Sequence, residues 1–459
     1  MYRLLLGLLF LLYIETAFAA QKVLNPILYG ILDAKTPVER YEILYKTHCE
    51  AKKAKTPVSY KGISRIDIEI PKGARRIPLT DRTDFAGTSI YVTNNMADVH
   101  LFEMADVLDS IEVSKEQIDN GNFTAIPALV RGRYLLVLED TTPWVKQRIG
   151  YKYGAIRRDI LLIKDGKALN KAVSPYNNDW TRVKAKYRPL SSGEKMISNL
   201  KFFRNKGSKY MTFLMTISNQ NEVTLSNLEI HTPKDSLKND AIFSISNCTN
   251  IKFNNVTIDG TYSRKDWSGY GILMNNVWNS SFYNLYGHGN WGVFGTNNVN
   301  KATLTRCDIN RFDIHCYGRD IYFDHCIIRD VYNQFSSVFG EVRFKRCEFR
   351  NCYPIAFGAS YNAYTKFNLI VKDCIVKEFR KKTNFIQMNG IDNPNINERP
   401  ELREKEWPDI YIDGLTIVTD GLITYRLSNH SKNDILQMNE SLPTSVELKR
   451  IRYEMQGNK

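Results

Sequence analysis

After residue 20 the chain contains no second long uncharged stretch, so no later segment reads as a membrane-spanning helix. No Cys follows Ala20 directly, which removes the acceptor that a lipoprotein anchor needs. The 8 cysteines include no CxxC pair and the 7 histidines form no cluster, so a zinc-type ligand set is absent. Helix-period apolar stripes are missing from the C-terminal half, which weighs against leucine-rich and helical repeats. Acidic residues are in deficit, 49 Asp and Glu against 63 Lys and Arg, for a formal charge of +14. That excess either serves solubility or favours polyanions, whether acidic glycans, nucleic acid or anionic lipid.

What is present begins with a leader pattern. Arg3 supplies the positive end, Leu4 to Leu12 the apolar run, and Ala17-Phe18-Ala19 a small-residue cleavage pattern near Ala19/Ala20. Residues 1–20 therefore read as a signal peptide, and the mature chain as secreted or periplasmic. Thr36-Pro37-Val38-Glu39 is a capping box with Pro at the first helical position. It opens a helix to about Lys53, expected to plug the N-terminal end of whatever follows.

A self-comparison of the C-terminal half returns one pattern in succession. The segments Leu304–Phe312, Phe323–Val331, Phe344–Cys352 and Val371–Phe379 each carry a cysteine at the same position: Cys307, Cys326, Cys347 and Cys374. Weaker copies centre on Leu228, Val256, Leu285 and Leu415. Periods of this size mean a solenoid whose units bury their apolar faces against one another. Each unit is an alternating apolar run, a polar pair and a second run, the pattern of strand, tight turn and strand. Asn275-Asn276 and Asn297-Asn298 suit corners, because Asn tolerates left-handed backbone angles and can bond to the next coil. These features describe a parallel β-helix. The cysteines then stack in its interior as small hydrophobes, a reading favoured over disulfides.

At this point the chain resembles the pectate-lyase-like right-handed β-helix superfamily of exported carbohydrate-active proteins, over about Ile66 to Asp420. Ile66-Asp-Ile-Glu-Ile70, Pro71-Lys-Gly and Phe85-Ala-Gly-Thr-Ser-Ile90 are similar to its first coils. The resemblance implies an all-β, right-handed solenoid acting on a glycan. The expected organisation is a capping region over 21–60, the β-helix over 61–420 with a loop and hairpin insertion at about 96–190, and an irregular coil and cap over 421–459. Gly287-His288-Gly289 resembles a motif of the polygalacturonase hydrolases, without the adjacent Asp pair upstream that accompanies it there. The carboxylate cluster that holds calcium in pectate lyases is not visible, so neither a cofactor nor an obligatory metal is expected.

A second family of short strands, around Gly271–Asn275, Gly292–Thr296, Asp313–Tyr317 and Ser337–Glu341, is where chemistry is expected. Two registers fit. One exposes Phe294 and Phe339 as a platform for sugar rings, with Trp291 beside them; the other buries both as a core ladder. The exposed register is preferred. Around it lie the candidate catalytic residues His288, Asp313, His315, Tyr317, Arg319 and Glu341. Elimination from an acidic polysaccharide needs a base, His315 or Tyr317, and a cation such as Arg319. Hydrolysis needs two carboxyl groups, and Asp313 with Glu341 or Asp266 is the pairing available. Each residue alone also has an ordinary structural reading.

The insertion interleaves aromatic and basic residues, among them Trp144, Arg148, Tyr153 and Arg157, and is expected to turn a hairpin at Asp165-Gly166. With Arg264 and Trp267 these complete the candidate binding set. They suit acidic sugars or nucleic acid equally, and export makes the glycan the expected partner. A non-catalytic glycan-binding or adhesive protein is the alternative, and oligomeric state is open.

Overall fold

The computed structural model describes residues 23–92, 100–145, 155–172, 182–204, 213–232, 241–260, 269–288, 291–330, 333–335, 338–352, 355–358, 366–377, 384–389, 409–419, 426–428 and 445–455. The leader pattern lies outside them. From Ala241 onward the long strands Ala241–Asp259, Tyr270–His288, Gly292–Thr305 and Phe312–Asp324 each pair in parallel with the strand one coil earlier. The pairing continues through Val338–Lys345, Lys366–Lys377 and Asp409–Thr419 to Val446–Met455. The chain is thus a parallel β-helix, and its described C-terminal strand is one more coil.

Sequence sets the corners. The column Asn199, Asn227, Asn255 and Asn284 is left-handed at every member; Asn227, Asn255 and Asn284 each donate to the side-chain carbonyl of the Asn one coil below, and Asn199 donates to Asp84. A second column joins Asn219, Asn247, Asn276 and Asn298 in the same way. Both Asn pairs expected at corners are here. Higher up, Arg306, His325, Arg346 and Asp373 take over the left-handed corner that Asn284 ends. Coil length varies along these columns: successive Asn partners are 28, 29 and then 22 residues apart.

Inside, Phe253, Phe282, Phe294, Phe312, Phe323 and Phe344 stack at centroid distances of 4.5–5.5 Å. Cys307, Cys326, Cys347 and Cys374 are free, buried and stacked, their thiols pointing at backbone carbonyls of the coil below. Leu228, Val256 and Leu285 precede them in register and Leu415 follows.

The helix Pro37–Ala54 has both halves of its capping box, Thr36 with the Glu39 amide and Glu39 with the Thr36 amide. It buries Tyr41, Leu44, His48 and Ala51, the three-and-four spacing of one helical face, against the first coils. The insertion is more than loops. Asp109–Ile111, Arg133–Val145, Ala155–Lys164, Lys167–Ala168 and Val183–Pro189 form a five-stranded antiparallel sheet. Leu136, Leu138, Leu161 and Ile163 alternate onto a core of its own with Ile118 and Phe123. Asp165 and Gly166, both at positive φ, turn its hairpin, with Lys164 opposite Lys167.

Candidate functional site

The register on the second strand family differs from the preferred one. Aligning Gly271 with Gly292 sets Leu273 beside Phe294, whereas the structure pairs Ile272 with Phe294 and Phe294 with Phe312. A slip of one residue sends a side chain to the opposite face. Phe294 is therefore fully buried in the aromatic stack and Phe339 is buried too, so neither offers a platform to sugars.

On the outer face of the strand, beside the buried Ile314, stands Asp313, in register with Gly295 below. The absent side chain of Gly295 makes room: a Cβ there would lie 2.5 Å from the Tyr270 ring. Tyr270 reaches across this gap, and its hydroxyl donates to Asp313 Oδ2 at 2.9 Å. The Tyr270 hydroxyl oxygen in turn accepts from Trp291 Nε1 at 3.0 Å and meets His315 Nε2 at 2.8 Å. With the hydroxyl proton given to Asp313, His315 Nε2 is the donor in that contact, an assignment made from the network. Gly292 leaves similar room for Arg311, whose guanidinium covers the Trp291 ring at 4.2 Å and donates from Nε to Asp313 Oδ1 at 2.6 Å.

His315 owes its place to a β-bulge. Thr296 pairs with Ile314 and Asn297 with Cys316, leaving His315 as the extra residue. Its side chain is 16% exposed while Asp313 is 0% and Arg311 2%. Burial works against the Asp313 charge, but attraction to His315 and Arg311 outweighs it and holds the carboxyl below its ordinary range. Burial, then the Asp313 charge, pushes the Tyr270 phenol far up, so Tyr270 serves as a proton donor and not as a base. The group is an enclosed aspartate–arginine pair, bridged by a tyrosine to a histidine at the surface.

His288 belongs to a neighbouring group: its Nε2 lies 3.0 Å from Asp308 Oδ1, and Arg329 holds both oxygens of that carboxylate. Arg329, Arg350 and Lys377 stand in register on successive coils as a basic column. Arg319 pairs with Asp320 at 3.5 Å, and Glu341 with Arg343 at 2.7 Å beyond a second bulge at Gly340. Asp313 and Glu341 are therefore not a facing carboxylate pair: the first is sealed under Tyr270 and Arg311, and the second lies within ion-pair distance of Arg343, its Oε1 buried and making no hydrogen bond. Asp266, Arg148, Tyr153, Arg264 and Trp267 lie outside the described residues. Of Trp144, Arg157 and Tyr317 only the backbone is described. Tyr270 and Arg311 are members that sequence reasoning missed; Gly292 and Gly295, interrupting a strand, were the available signal.

No family model and no curated protein matches the chain. Solved structures do. The tailspike protein gp49 of Pseudomonas phage LKA1 superposes with a TM-score of 0.54 at 14% identity, over 89% of this chain and 74% of that one. The tailspike gp61 of Pseudomonas phage phi297 gives 0.54 at 11%, over 94% and 80%. At these identities the likeness is one of fold, and the fold this chain shares with both tailspikes is the parallel β-helix.

Proposed function

We propose that the protein is an exported, glycan-active β-helix protein that cleaves an acidic polysaccharide by β-elimination. The observation that carries this reading is the pairing of a surface-edge histidine, His315, with a sealed anion, Asp313, through Tyr270. Asp313 cannot touch a sugar, so it is a positioning residue. It keeps Tyr270 oriented, and Tyr270 hydrogen-bonds Nε2 of His315, the imidazole to which we assign the proton exchange. His315 takes the proton from the carbon beside the uronate carboxylate. The electron pair left behind forms the new double bond, and the glycosidic oxygen departs with a proton from the imidazolium or water. The Asp313 charge stabilises that imidazolium, and Arg319 on the same strand is the cation for the uronate. Hydrolysis ranks lower because it needs two facing carboxyl groups, and Asp313 with Glu341 does not provide them. Export rests on the leader pattern of residues 1–20.

The test is ultraviolet absorbance of the unsaturated product during incubation with a panel of acidic and neutral polysaccharides, with reducing ends assayed in parallel. His315→Ala is expected to lower the rate at least about a hundredfold. Reducing ends without the unsaturated product would replace elimination by hydrolysis. The second reading, glycan binding without turnover, draws on Tyr283 and Tyr286, aromatic side chains 42% and 43% exposed on one strand. Binding to the panel with no new ends would establish it.

A further inference from the structure

A second site lies far from His315 in sequence. A cavity of about 490 Å³ opens between the C-terminal end of the helix Pro37–Ala54, the first coils and the segment that returns from the inserted sheet. Its size suits a small ligand. Two buried side-chain oxygens on its wall, Gln220 Oε1 and Thr56 Oγ1, have no hydrogen-bond partner, and a buried lysine stands beside them. Lys195 begins the strand Lys195–Ser198 on the same face as the core residue Ile197, in register with the fully buried Val223. Lys195 is 3% exposed, yet among the described residues no hydrogen bond or ion pair ends on its ammonium group. Gln220, 1% exposed, gives its amide protons to Asp106 Oδ2 and the Ser218 carbonyl, which fixes its orientation and leaves Oε1 without a partner. Thr56 Oγ1 is likewise buried and unbonded.

The nearby anions do not fill the deficit. Asp106 is engaged by Arg188 and Gln220, and Glu194 by Lys252 and Thr224. Asp81 remains, against Lys52, Lys55, Arg82 and Lys195 around the same space. Burial, reinforced by Arg188, holds the Lys195 ammonium below its ordinary range, and attraction to Asp81 and Asp106 opposes this without reversing it. An unpaired buried cation is costly. The complement of this wall is a molecule with an anionic acceptor for Lys195, a hydroxyl donor for Gln220 Oε1 and a hydroxyl for Thr56.

We propose that this cavity binds a small polyhydroxylated carboxylate, a sugar acid, with its carboxylate on Lys195 and its hydroxyls on Gln220 and Thr56. The site is separate from the His315 group and does not depend on it. Calorimetric titration of the full mature chain with glucuronate is expected to show one binding event that His315→Ala leaves intact. Lys195→Met, which replaces an unpartnered ammonium with an apolar chain of similar length, is expected to weaken it at least about tenfold while the thermal melt stays cooperative. Thr56→Val should weaken it by a smaller factor, and acetate or glucose in place of glucuronate should bind more weakly, each lacking half of the complement. Glucuronate affinity unchanged in both Lys195→Met and Thr56→Val would overturn the proposal. So would an absence of heat with the unmodified chain, which would assign the cavity to water alone.

Discussion

Asp308 and Asp313 sit on one coil, each held by an arginine and approached by a histidine, and they are built for different ends. Asp308 is 22% exposed, and the pairing around it recurs along the column, where Glu348 meets Arg350 and Lys377. Such a ladder belongs to the repeat, and each rung contributes little. Asp313 is fully enclosed, and nothing repeats it on the coil below: Gly295 stands there. An ion pair taken wholly out of water gains less than a well-packed apolar pair would. A group of that kind, outside the repeat and bridged to a partly exposed histidine, is the stronger candidate for function.

The comparison is broken most directly with matched substitutions. Asp313→Asn leaves Arg311 buried without its anion and is expected to lower the unfolding free energy in urea by roughly 3–5 kcal/mol. A loss no larger than that of Asp308→Asn would erase the distinction.

A third titratable group sharpens it from another side. His48, on the capping helix, is fully buried with no anion beside it among the described residues, its ring nitrogens meeting the Pro78 carbonyl at 3.0 Å and the Tyr60 hydroxyl at 2.8 Å. Burial pushes it down to about 4 from 6.5, only partly opposed by the Pro78 carbonyl. The unfolded chain takes its proton first, so the folded state loses stability as pH falls from 6.5 to 4, by roughly 3 kcal/mol. The Asp313 contribution runs in a lower window: its carboxyl is held below the ordinary 3.8, so that part persists above 3.8 and fades as pH falls further. Urea midpoints across this range should fall in the unmodified chain and flatten between 6.5 and 4 in His48→Gln. An equal fall in the variant would exclude His48 as the source.

Much of the solenoid is readable because its signals are local or strictly periodic. The capping box needs four adjacent residues, the Asp165-Gly166 turn two, and the cysteine column one position per coil. The site is less readable because its contacts span 43 and 45 residues, from Tyr270 to Asp313 and His315. Coil lengths change just there, from 29 to 22 residues, so glycine alignment misplaces Phe294 by one position and turns it outward. The inserted sheet hides for a related reason: its alternating strands close on their own small core, away from the coil rhythm.

The smallest expected effect lies at Asp308. Burial raises its carboxyl, and His288 and Arg329 together more than reverse that. Its partners stay within reach of water, Arg329 at 26% exposure and His288 at 19%, so losing the charge leaves neither stranded. Asp308→Asn keeps the shape and one acceptor, and should cost about 1 kcal/mol or less in urea. That small cost should shrink further in added salt, because the pair is open to screening. The Asp313→Asn cost should hold nearly constant, since counter-ions cannot enter under Tyr270 and Arg311. Equal salt dependence in the two variants would mean that the two carboxylates see the same solvent, and the separation between ladder and site would be lost.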